Sequence, residues 1–171
     1  MPNTTQEELE NFRKGIELMI RIDSPAVIDN TNADHAKIIL EAMFAAVTTS
    51  AFVFCGELSP DVWGGENMAQ NVQNAIRRGA NVKFIVEHPE TASAQADMPI
   101  MDVLRGHPGV LTTSGPIQGW NRHFAVFDSK RFRVETNHDA KTALACANDS
   151  KLAKGLEFVA ETMLKTAKPV A

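Results

Sequence analysis

Five consecutive apolar residues, Ala51-Phe52-Val53-Phe54-Cys55, set the strongest constraint on how this chain folds. A strand with one face in water alternates apolar and polar residues, whereas an unbroken string has both faces covered. Just before it, Ala36, Ile39, Leu40, Met43, Phe44 and Val47 recur at helical spacing behind Thr31-Asn32-Ala33-Asp34, which reads as a helix start. A helix over 33–49 followed by a strand over 51–55 predicts a sheet with helices packed on its faces.

The pattern continues along the chain. Leu9, Phe12, Ile16, Met19 and Ile20 mark an opening helix, with Thr5 and Glu8 spaced as a capping box. Strands are read at 25–28, 82–86, 110–111, 124–127, 131–136 and 142–147. Further helices run through Ala69, Val72 and Ile76 to a close at Gly79, through Ile100 and Leu104, and from Asp149 or Ser150 past Leu156 and Met163. No repeat or linker divides them. The reading is a single α/β domain over 1–171, a mixed β-sheet sandwiched by helices. Residues 1–24 form an N-terminal helical extension and 25–165 the core. Arg131 and Arg133, alternating with Phe132 and Val134, read as a solvated face opposite a buried one.

Charge and composition exclude several classes. With 17 Lys+Arg against 21 Asp+Glu the net charge is −4, which argues against a general nucleic-acid coat. No apolar run approaches the ~18 residues of a membrane span, so no membrane partner is expected. Cys55 and Cys146 sit in apolar strings and read as small buried hydrophobes in a reducing compartment. The acidic, polar N-terminus lacks the features of a signal peptide, and a cytoplasmic location is expected. Dinucleotide, P-loop, zincin and serine-hydrolase motifs are absent, and the five histidines show no metal-ligand spacing. Neither a metal nor a cofactor is implied.

The segment 121–138, NRHFAVFDSKRFRVETNH, carries the chemistry. It resembles the phospholipase D superfamily, whose signature is HxKx4D followed by a GSxN-like turn. Aligned on the strand and its aspartate, Asn121 stands at the family histidine, His123 at the lysine and Asp128 at the aspartate. Glu135 then takes the glycine position, Thr136 the serine and His138 the asparagine. The helix–strand pair 33–55, the run Ala75-Ile76-Arg77-Arg78-Gly79-Ala80-Asn81-Val82 and the closing strand and helix resemble the flanking elements of short single-motif phosphodiesterases.

The resemblance implies a phospholipase D-like α/β fold and a two-fold homodimer that pairs two motifs across one cleft. It implies attack on phosphorus by a histidine nitrogen, a lysine that steadies the phosphoryl charge, and an aspartate that orients a histidine. This sequence departs from that machinery. Asn121 offers an amide whose lone pair is delocalised, so it is neither nucleophile nor base. His123 stands two strand residues, about 6–7 Å, from the family nucleophile, while attack needs contact at about 3–3.5 Å.

The reading that follows is a phospholipase D-like pseudoenzyme. Asn121, His123, Asp128, Thr136 and His138 would bind a phosphate-bearing ligand, nucleic acid or a protein partner. The local basic residues Arg122, Lys130, Arg131 and Arg133 would lend affinity for an anion. The alternative is an active phosphodiesterase or nuclease, with His123, Asp128 and His138 as catalytic candidates in a rearranged dimeric site. A purely structural or assembly subunit is the third reading.

Overall fold

A computed structural model describes residues 4–88, 97–107, 109–113 and 122–170. Asn121 and most of 112–119, a stretch whose Gly, Ser and Thr content fits either a lid or a long connection, lie outside the described residues. Among these, the elements run α1 (Gln6–Arg21), β1 (Val27–Asn30), α2 (Ala33–Ala46), β2 (Ser50–Cys55), α3 (Pro60–Trp63), α4 (Glu66–Arg77) and β3 (Asn81–Val86). The chain continues with α5 (Pro99–Arg105), β4 (Leu111–Thr113), β5 (Phe124–Phe127), β6 (Arg131–Asn137), β7 (Thr142–Cys146), α6 (Ser150–Leu164) and β8 (Lys168–Pro169). One eight-stranded sheet has the order β1-β7-β6-β5-β2-β3-β4-β8. The β2–β3 and β3–β4 pairs are parallel and the others antiparallel.

The apolar string behaves as its composition demands. Ala51, Val53 and Cys55 face a core shared with α1 through α5, while Phe52 and Phe54 face a second core under α6. At the centre of the first core, Phe44 of α2 meets Phe127 edge-on with centroids 5.0 Å apart and stacks on Phe84 at 5.9 Å. Such aromatic pairs add to the area each ring removes from water. Helix α1 packs on α2, burying Ile16 and Ile20, and its Arg13 pairs with the buried Glu41 at 2.8 Å.

Local signals set the helix ends. Thr5 and Glu8 form the reciprocal capping box, and Asn32 and Asp149 accept the amides of His35 and Leu152. Helix α2 stops at Ala46 rather than reaching Thr49, because the amides of Thr48, Thr49 and Ser50 are taken by the Asp128 carboxylate. The four-residue α3 and two-residue β8 are too short to leave a periodic trace in the sequence.

The solvated face expected for Arg131 and Arg133 is corrected. Both are buried, at 7% and 6% exposure. Strand β6 pairs Ala125 with Arg133 and Phe127 with Arg131 in a sheet covered on both sides, so these guanidinium groups point into the α2 layer. Burial demands partners for them. Arg133 finds Asn30 and Glu135, and Arg131 finds Asp128 and Asp23.

Candidate functional site

The carboxyl ends of the parallel strands β2 and β3 meet the start of β5 and the end of β6 at one edge of the sheet. Chain segments leaving strands at such an edge form a natural crevice. His123 immediately precedes β5, and its carbonyl accepts the amide of Glu135 at 2.9 Å, which sets the two residues opposite each other. Glu87 follows β3, where its amide bonds the Cys55 carbonyl at 3.0 Å. Gly56 leaves room for the imidazole: a Cβ there would lie 3.0 Å from His123 Cε1.

A β-bulge completes the arrangement. Along β6, Glu135 pairs with Ala143 and Asn137 with Thr142, so one extra residue, Thr136, is inserted against β7. Residues three apart on a regular strand face opposite ways, and the inserted residue reverses that parity. His138 therefore returns to the side of Glu135. Glu135 Oε2 lies 3.2 Å from His123 Nδ1 and 3.1 Å from His138 Nδ1. The two imidazoles meet edge to face with centroids 4.6 Å apart. The histidines show no ligand spacing along the chain, yet ligand atoms of His123, Glu135 and His138 all lie within 4.8 Å of one another.

Supporting contacts hold this group in place. The other nitrogen of His123, Nε2, lies 3.4 Å from Glu87 Oε2. Arg133 Nη1 stands 3.7 Å from Glu135 Oε1, and its Nε donates to Asn30 Oδ1 at 2.7 Å. Asn30 in turn donates to the Lys141 carbonyl at 2.9 Å. Beside the group lies a cavity of about 80 Å³ whose wall includes Val53, Cys55, Glu57, Trp63 and Arg133. Pockets for drug-sized molecules run to about 300–1,000 Å³, so this one suits an ion and a few waters.

The electrostatics follow from burial and charge together. Burial pulls the pKa of His123 down, but hydrogen bonds and charge from Glu135 and Glu87 outweigh it and hold the imidazole above its ordinary value. Burial pushes Glu135 up, and His123, His138 and Arg133 reverse this, leaving its carboxyl below the usual range. The Cys55 thiol is pushed up by burial and by the carboxylates of Glu135, Glu87 and Glu57.

The candidates read from the sequence separate into two places. His123 and His138 share the site. Thr136 forms the bulge at its rim and shares a hydrogen bond with Thr142 at 3.0 Å. Asp128 lies five residues along the strand, about 16 Å from His123. There its carboxylate, 8% exposed, receives three backbone amides and Arg131. Lys130 and Arg131 are also at that end and pair with Asp23, so the basic residues of the motif do not form one cluster. Glu87, Glu135 and Asn30 join the site without a signal in the linear motif, and Arg133 enters it as a partner of Glu135 rather than as part of a basic cluster. Covering of both faces of β5 was the available signal, because its neighbour β6 then buries Arg133 and Glu135 on one side.

No protein-family model and no curated protein matches the sequence. Solved structures do match. Nuc from Salmonella typhimurium, a phospholipase D family member, superposes with a TM-score of 0.62 at 14% identity, covering 85% of this chain and 98% of its own. NucT from Helicobacter pylori gives 0.60 at 12% identity, covering 84% of this chain and 99% of its own. TrmBL2, an archaeal chromatin protein with a novel mode of DNA binding, gives 0.61 at 16% identity, covering 96% of this chain and 65% of its own. At such identities the likeness is one of architecture. The chain has the fold of the phospholipase D family.

Proposed function

We propose that this chain is a binding domain on the phospholipase D fold, without phosphoryl-transfer activity. The observation that supports the reading is the double engagement of His123. A histidine attacks phosphorus through an unshared ring nitrogen. Here Nδ1 is turned to Glu135 at 3.2 Å and Nε2 to Glu87 at 3.4 Å, so neither nitrogen presents its lone pair to a substrate. The carboxylates of Glu57 and Glu135 line the inner cavity and repel a phosphate there. The nearby cations are already occupied, Arg133 by Asn30 and Glu135, and Lys141 by Asp61 at 3.0 Å.

A phosphate-bearing ligand, a nucleic-acid end or a protein partner is left the outer hollow, whose wall holds Arg122, Thr136 and His138 beside Glu135 and Asp139. A homodimer that sets two such rims face to face belongs to the same proposal. The test is turnover of a bis-aryl phosphodiester and of single-stranded DNA, with and without chelator. Neither substrate should be cleaved above the buffer rate. Cleavage that vanishes in His123→Ala would overturn the reading in favour of a phosphodiesterase.

A further inference from the structure

We infer that His123, Glu135 and His138 form a binding site for a divalent transition-metal ion of the Zn²⁺ type, with a fourth position facing the cavity. The inference rests on the binding-domain reading, because a histidine committed to phosphoryl transfer would not be a resident ligand. Two imidazoles and one carboxylate, completed by water, are a donor set that such ions favour.

Geometry supports the site on two counts. Ligands about 2.1 Å from a tetrahedral ion stand about 3.4 Å from one another. Glu135 Oε2 already lies 3.2 Å from His123 Nδ1 and 3.1 Å from His138 Nδ1, close to that spacing, and ligand atoms of the three residues all lie within 4.8 Å of one another. The outer contacts are also those of a metal site. Ligating histidines commonly donate their remote N–H to a carboxylate, which fixes the tautomer and aims the other nitrogen at the ion. Glu87 stands in that relation to His123 Nε2. Arg133, anchored on the buried Asn30, approaches the far oxygen of Glu135 and leaves Oε2 toward the histidines. The ion takes the place of the protons on the two Nδ1 atoms, and its charge faces the carboxylate of Glu135.

The site is tested on full-length protein dialysed against a chelator, then titrated with Zn²⁺ in competition with a chromophoric chelator. One ion per chain is expected. Glu135→Gln and His138→Ala should abolish competition, Glu87→Ala should weaken binding about 10- to 100-fold, and His107→Ala should leave it unchanged. His138 is 59% exposed, so its replacement tests ligation without opening the core. Loaded with Co²⁺, the protein should show the intense visible bands of a tetrahedral ion. Absence of stoichiometric uptake, wild-type affinity in His138→Ala or Glu135→Gln, or the weak bands of an octahedral ion would overturn the proposal. Diester hydrolysis by the stripped protein, lost in His123→Ala, would sink the binding-domain reading and the metal site with it. Failure to bind Zn²⁺ without such hydrolysis would overturn the metal site alone.

Discussion

His123 and Glu135 are coupled through one short contact, and their coupling is visible in the pH dependence of stability of the metal-stripped protein. His123 is faced by Glu135 and Glu87, with His138 against its ring and Arg133 behind Glu135. Its folded pKa is raised, so its contribution is fully present below the ordinary histidine value and is lost as pH rises through the raised one. Glu135 is lowered, so its contribution is present above the ordinary carboxylate value and is lost as pH falls through the lowered one. Denaturant titrations across pH should show greatest stability between the two losses. In Glu135→Gln the alkaline loss should begin at lower pH; an unchanged alkaline limb would contradict the coupling. His123 and His138 were legible through the resemblance, which sets them at the lysine and asparagine positions of the motif. Glu135 was not, since alignment gave it a glycine's place and nothing in a linear string shows that a bulge turns His138 back upon it.

The β5–β6 hairpin shows how an element can hold a motif residue for structural reasons. Asp128 and Ser129 both adopt positive φ, 52° and 56°, and Lys130 N–H closes the turn on the Phe127 carbonyl at 3.1 Å. Primed turns of this kind match the twist of the paired strands, and aspartate tolerates them better than most residues. The Asp128 carboxylate then pins the hairpin to the start of β2 through the Thr48, Thr49 and Ser50 amides. Asp128→Ala removes a buried ion-pair partner and three acceptor contacts, and should cost about 3 kcal/mol of stability, the order for breaking a buried charge pair. Affinity at the His123 end should be unchanged in the fraction that folds. A stable variant with altered ligand binding would assign Asp128 to the site instead. The turn itself was readable from Asp128-Ser129-Lys130. What it is tied to was not, because Thr48 is eighty residues away in sequence.

At the scale of the whole molecule, the layered architecture was the most legible feature. Continuous apolar strands and one-faced helices can be satisfied together by helices on both faces of a sheet, and that is what 51–55, 124–127 and α6 form. The same logic fixes Cys55 and Cys146 as buried thiols, as their apolar settings implied. It misleads at β6, where charged residues alternate as if toward water and are instead paired inside. The homodimer proposed from the resemblance gives its own prediction. Light scattering should return twice the 18.7 kDa chain mass, and a monomer at micromolar concentration would remove the shared cleft from the account.

The central claim is that His123, held between two carboxylates, does not become a phosphoryl carrier. Intact-mass and peptide mass spectrometry, on protein quenched during incubation with a phosphodiester, test this most directly. The account predicts unmodified His123 and His138 at every time point. A phosphoryl or phosphodiester adduct on either imidazole would contradict it.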